Sequence, residues 1–235
     1  MTERAHAVVT GAGLLLAIAI TPLAATAQVH GIPVYNSGIP TGIGVYADIG
    51  FPKASRFRLP LVTDAGKGRS LALSGRAGFG PFGATAVLST FNPQGPGDSE
   101  LSVGGTLNYK VFGGPLIPLS VTLQGGIGYS KPEAGFLPDE DVNEFRFPVG
   151  LGLALTIPNP ALAIKPWIAP RLDVVRTSAG GDSNTESNFG LGGGVELNTL
   201  SGFGVHAAYD RVFLDGSDPS VFGVGAHYTF RVPGL

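Results

Sequence analysis

From Thr41 onward the chain repeats one pattern: short segments in which large apolar side chains alternate with Gly, Ser, Thr, Asn or a charge. Period-two alternation puts the two sets on opposite faces of a β-strand, and its recurrence to the C-terminus defines an all-β chain. In one segment Leu101, Val103, Gly105, Leu107, Tyr109 and Val111 oppose Ser102, Gly104, Thr106, Asn108 and Lys110. Leu119, Val121, Leu123, Ile127 and Tyr129 repeat the pattern, as do Phe145 to Leu155 and Phe189 to Leu197. Weaker copies lie near Thr41–Gly50, Ser70–Phe79, Gly83–Phe91, Leu162–Val175, Phe203–Val212 and Val221–Phe230. The count is ten strands. Eight is the alternative, because Thr85, Val87 and Ser89 allow either face in the third segment. Pro148, Pro166 and Pro170 cannot donate to a ladder, so bulges or local distortion must accommodate them.

The connections alternate in length. Long or polar stretches at Phe51–Arg69, Asn92–Ser99, Lys131–Asn143, Thr177–Ser187 and Leu214–Ser220 alternate with tight links at Gly80–Gly83, Gly113–Pro115, Pro158–Pro160 and Leu200–Gly202. Long loops at one end and short turns at the other describe an up-and-down meander. Most aromatic residues fall at inferred strand ends, among them Phe51, Phe79, Tyr109, Tyr129, Phe145, Phe203, Phe213 and Tyr228. A soluble core would draw them to mid-strand, whereas two girdles at the strand ends match two membrane interfaces. The reading is a closed antiparallel up-and-down transmembrane β-barrel over residues 41–230, with long loops outside the cell and both termini on the periplasmic side.

Composition supports export and excludes several classes. Residues 1–27 read as a signal peptide: an apolar run from Ala7 to Ile20, a break at Thr21-Pro22, and a small-x-small site at Ala25-Thr26-Ala27. Residues 28–40 then read as an irregular periplasmic lead-in, and residues 231–235 as a C-terminal extension. A formal charge of −2 and a pI near 6.1 give no basic field for nucleic acid. With no cysteine the chain has no disulfide, thiolate nucleophile or zinc–cysteine site, and no spacing calls for another metal or a cofactor.

The chain resembles the small bacterial outer-membrane β-barrel superfamily of OmpA-type and OmpX-type proteins over roughly Thr41 to Phe230. The last strand, Phe222 to Phe230, resembles that group's C-terminal signal, which ends on an aromatic residue, although Arg231 to Leu235 follow it here. The resemblance implies residence in the bacterial outer membrane and insertion by the barrel-assembly machinery. It transfers no activity. Barrel proteases of the omptin kind place acids and a histidine at the outer rim, where this chain has Asp48, Asp173 and Asp210 but no histidine among them. Barrel lipid deacylases use a lipid-facing Ser–His pair, whereas His206 and His227 have lumen parity. The expectation from these residues is no enzyme.

Parity assigns Asp48, Arg76, Lys110, Arg146, Lys165, Arg171, Asp173, Glu196 and Asp210 to the lumen, where charges must pair or stay hydrated. Many inward glycines, including Gly44, Gly126, Gly150, Gly152, Gly190, Gly204, Gly223 and Gly225, would leave room for water. Two readings follow: a structural or surface-interaction barrel whose lumen is plugged by an internal charge network, or a narrow porin-like channel. Hairpin register sets His206 opposite both Glu196 and His227, a lateral row that would be a hydrogen-bonded network, a transition-metal site or a titrating gate. In the first outer loop Lys53, Arg56 and Arg58, with Phe57 and Leu59, suit outer-membrane lipid and lipopolysaccharide phosphates. In the third, Glu133, Asp139, Glu140, Asp141 and Glu144 form an acidic stretch suited to a divalent cation or simply to solvent. No residue names an extracellular partner. N-terminal sequencing of the membrane-inserted protein should begin at Gln28-Val29-His30. A product still beginning at Met1 would make the apolar run an anchor.

Overall fold

The computed structural model describes residues 29–53, 67–94, 98–114, 117–131, 142–214 and 219–230. Ten strands follow one another: β1 (Gly42–Lys53), β2 (Gly68–Phe79), β3 (Phe82–Pro93), β4 (Glu100–Gly114), β5 (Ile117–Ser130), β6 (Asn143–Leu155), β7 (Leu162–Ala179), β8 (Asp182–Thr199), β9 (Phe203–Phe213) and β10 (Ser220–Phe230). Each pairs antiparallel with the next, and β1 closes the ring on β10 from Ile43↔Phe230 to Lys53↔Ser220. Ten strands are therefore correct and eight are not. Closure satisfies the backbone groups that an open edge would leave bare in lipid.

The wall is apolar outside and polar inside. Leu73, Leu101, Leu107, Leu123, Val149, Leu172 and Phe203 are exposed on the outer face, while Ser70, Thr122, Asp173 and Asp210 are among the least accessible groups. β3 resolves its ambiguity with Val87, Ser89 and Phe91 inward and Leu88 outward. Aromatic pairs brace the ends, with Phe82–Tyr109 centroids 5.3 Å apart, Tyr129–Phe145 4.9 Å and Phe189–Phe213 5.8 Å. Where Pro148 faces the lumen, the β5–β6 register lapses between Gly125↔Val149 and Gly128↔Arg146. The β4–β5 ladder shifts beside Lys110 and Phe112, so both Val111 and Phe112 face outward.

One stretch placed among the long loops is a hairpin. β7 and β8 stay paired to Ala179↔Asp182, so Thr177–Ser187 is ladder rather than loop. The turn is Gly180-Gly181, with φ of +57° and +91°. Two successive positive φ values suit the twist of a tight hairpin, and two glycines adopt them without a side-chain penalty.

The larger departure is at the N-terminal side. Residues 29–40 do not hang below the barrel as a periplasmic lead-in; they thread its interior. Val29, His30, Ile32, Val34, Asn36 and Ser37 are all buried. The segment enters at the long-loop end, where the Gly31 carbonyl lies over Gly50 and Val29 and Ile32 pack with Ala72 and Val87. It leaves at the short-turn end, where the Pro40 carbonyl lies over Gly78 before β1 begins. Residue 29 thus sits at the long-loop end, not on the short-turn side expected for both termini. A lipid-facing wall predicts unequal costs for charge. Leu123→Arg, at the middle of β5, should destabilise by about 2–4 kcal/mol and Leu200→Arg, in a short turn, by about 0–1 kcal/mol. The readout is the temperature at which the compact gel form converts to the extended one. Equal losses would contradict a bilayer around β5.

Candidate functional site in the lumen

The inward glycines make room for polypeptide. A Cβ on Gly152 would collide with the Asn36 side chain and its carbonyl oxygen, and one on Gly223 would lie 2.7 Å from the Pro33 ring. These positions let the wall approach the threaded segment closely, where the sequence suggested space for water. Asn36 lies where the β6–β7 register lapses between Gly150↔Arg171 and Leu153↔Ile168.

Charged and polar side chains then hold the segment through its main chain. Arg171 donates from Nε to Asp173 at 2.8 Å and from Nη1 to Asp210 Oδ1 at 2.7 Å, and Asp210 Oδ2 accepts the Val34 N–H at 2.8 Å. Gln124 Nε2 donates to the Tyr35 carbonyl at 2.9 Å, and Ser37 Oγ donates to Glu196 Oε2 at 2.7 Å. Near the long-loop end His30 Nδ1 lies 2.8 Å from Glu100 and its ring stacks on Phe91 with centroids 4.2 Å apart, while Ser70 Oγ donates to the His30 carbonyl. Of the predicted lumen charges, Arg171, Asp173 and Asp210 form one cluster. Arg146 instead donates to Glu144 at 2.7 Å, which removes Glu144 from the solvent-facing acidic stretch. The other acids of that stretch, and Arg56 and Arg58, lie outside the described residues; Lys53 is exposed at the end of β1. Lys165 faces Glu196 across the β7–β8 ladder, and Lys110 is half-buried beside the β4–β5 irregularity.

Tyr35 occupies an aromatic and cationic socket that the sequence did not reveal. Its ring lies edge-on to His206 at 4.9 Å, tilted against Trp167 at 6.0 Å, and under the Arg76 guanidinium at 4.9 Å. Arg76 also lies 3.9 Å over Tyr46, so this predicted network charge is held by two ring faces. Only the apolar residues Val29, Ile32 and Val34, together with more glycine than a narrow lumen can leave empty, hinted that the lead-in would be buried.

The histidine row exists with one register correction. Glu196 pairs with His206 as expected, but β9–β10 is displaced by two residues, so His206 faces Gly225 and His227 faces Gly204. The difference begins at the loop, where Val212 N–H donates to the Pro219 carbonyl, so the hairpin closes one residue earlier on each strand than Phe213 and Ser220, and the shift carries through the ladder. Each imidazole lies over the opposing glycine, and the rings still meet with Nδ1–Nδ1 at 3.2 Å. Asn198 Nδ2 donates to Glu196 at 3.0 Å, which turns its Oδ1 toward His227 Nε2 at 2.8 Å. His227 therefore carries hydrogen on Nε2, and His206 Nδ1–H donates to the bare His227 Nδ1. The 2.6 Å contact between His206 Nε2 and Asp48 then needs one further proton between them. Asp48, expected in the outer charge layer, is tied instead to the histidines.

Several solved structures are similar to this chain. The β domain of the Bordetella autotransporter BrkA is similar at 13% identity over 81% of this chain and 99% of that one, with a TM-score of 0.49. Ail, the attachment invasion locus protein of Yersinia pestis, is similar at 16% identity, covering 81% and 97% with a TM-score of 0.35. The outer membrane protease OmpT of Escherichia coli is similar at 10% identity, covering 81% and 94% with a TM-score of 0.38. No curated protein matches the sequence. The expectation that this chain is no enzyme is corrected: OmpT and the outer membrane enzyme PagL are among the structures similar to it. The physical reason is that a barrel wall leaves its rim and loops free to carry any chemistry. The model of the outer membrane protein beta-barrel domain matches residues 13–230, and with the closed ten-stranded barrel this places the chain in that family.

Proposed function

We propose that this is an integral outer-membrane barrel with a structural or surface-interaction role, whose lumen is closed by its own N-terminal segment and the charge network that holds it. The observation that carries this reading is the passage of residues 29–40 along the interior, with Val34, Tyr35 and Ser37 hydrogen-bonded to Asp210, Gln124 and Glu196. These contacts turn lumen charges inward on the chain's own segment rather than toward a solute. A narrow channel is the second reading, favoured by the buried Ser74, Ser89, Ser102 and Thr122 hydroxyls on the β2–β5 side, which take no partner among the described residues. Polar groups of this kind suit a hydrated strip beside the segment.

Outer-membrane lipid, with lipopolysaccharide at the long-loop end, is the proposed surroundings, and the barrel-assembly machinery the proposed partner in insertion. Planar bilayers containing the full chain should show no stable single-channel steps. Steady steps whose ion selectivity changes in Arg171→Gln would replace closure with the channel reading. The first outer loop supplies a separate test of the lipopolysaccharide contact. Neutralising Lys53, Arg56 and Arg58 together should reduce retention on lipid A-containing liposomes at low salt, with the difference shrinking as salt screens the phosphates. Unchanged retention would leave these residues as solubilising charge.

A further inference from the structure

We infer that the lumen is a binding groove for an extended polypeptide, with an aromatic socket at its centre, and that residues 29–40 are its exchangeable in-chain occupant. The inference rests on the proposal that this segment closes the lumen and adds that the wall recognises a class of ligand. Among the described residues the segment joins no β-ladder, so the wall's side chains, not strand pairing, hold it. Those side chains read main-chain chemistry. Asp210, oriented by Arg171, accepts a peptide N–H, and Gln124 donates to the next residue's carbonyl. Both groups are buried and are directed at any extended peptide, whatever its side chains.

Specificity comes from what lies beside these bonds. Tyr35 fills a space bounded by Arg76, Trp167 and His206, a surround of one cation and two rings that favours an aromatic side chain. Two residues on, Glu196 accepts the Ser37 hydroxyl. Gly223 and Gly152 form the floor on which Pro33 and Asn36 lie, so the groove is shaped to backbone thickness at both sides of the socket. An extended peptide with an aromatic residue and a hydroxyl two positions later is the ligand this arrangement fits. When the segment leaves, the same arrangement is a polar passage through the wall.

Trp167 reports occupancy, because it is the chain's single tryptophan and lies buried against Tyr35. In the full exported chain in detergent, Tyr35→Ala and Gly152→Val should each retain the heat-dependent gel shift, red-shift Trp167 emission and expose it to a small polar quencher. A synthetic peptide of residues 28–40 should restore the blue emission in Tyr35→Ala but not in Gly152→Val, where the floor is filled. The same peptide carrying Tyr35→Ala should bind roughly tenfold more weakly. Unaltered Trp167 in both variants, or restoration indifferent to the peptide's tyrosine, would overturn the groove. If neither variant folds, Ser37→Ala decides: it removes the hydroxyl that Glu196 accepts and fills no space, so the barrel should keep its gel shift while the segment exchanges with the peptide more readily. Exchange no faster than in the unsubstituted chain would overturn the groove. A silent bilayer with no peptide exchange would overturn the groove and leave closure standing, whereas channel steps from the unsubstituted chain would overturn closure itself.

Discussion

A strand in lipid has no water for its N–H and C=O groups, and closure of the ladder is the condition on which everything else in this molecule depends. Once β10 pairs with β1, every strand has two neighbours and side chains are sorted by parity alone. Large apolar residues go outward, where lipid solvates them. Polar residues go inward into a space screened from bulk water, where each must find a partner. The resulting molecule is inside out, with Asp173, Asp210 and Thr122 among its least accessible side chains.

That inversion creates a problem of filling. A ten-stranded ring is slightly wider than one whose side chains meet at the axis, and carboxylates left unpaired in such a space are costly. Here the chain supplies its own filler. Twelve residues bring main-chain donors, acceptors and apolar side chains to the axis, and inward glycines accept them at backbone distance. Arg171 neutralises Asp173 and Asp210 while leaving one oxygen of Asp210 for the Val34 N–H. The histidines apply the same economy: Glu196 orients Asn198, Asn198 sets the tautomer of His227, and His227 accepts the Nδ1 proton of His206, whose Nε2 faces Asp48.

Outside β3 and the irregularity at Phe112, the wall was legible in the sequence to the level of individual faces. Parity placed Arg146, Arg171, Asp173, Glu196, His206, His227 and Asp210 in the lumen, and all are buried there. Errors arose where parity is silent. Hairpin register depends on how a loop closes, and the β9–β10 loop closes at Val212 and Pro219, which displaces the last pairing by two residues. The Gly180-Gly181 pair is readable as a tight hairpin, but the polar residues around it read as a loop because, at the outer end, both strand faces are exposed to water and alternation disappears.

By itself the sequence determined the antiparallel meander, the sorting of most wall residues and the membrane as solvent, because these follow from period two and from connection lengths along the chain. Tertiary structure alone decided that Val29–Pro40 runs through the barrel, that Tyr35 meets Arg76, Trp167 and His206, and that Asp48 belongs to the histidines. The physical reason is distance along the chain. Asp210 and Val34 are 176 residues apart, and their hydrogen bond exists only because closure brings β9 and the axis of the ring together. A segment with no strand partner leaves no periodicity to read, and its place is set by the shape and charge of a cavity that exists only after ten strands have closed around it.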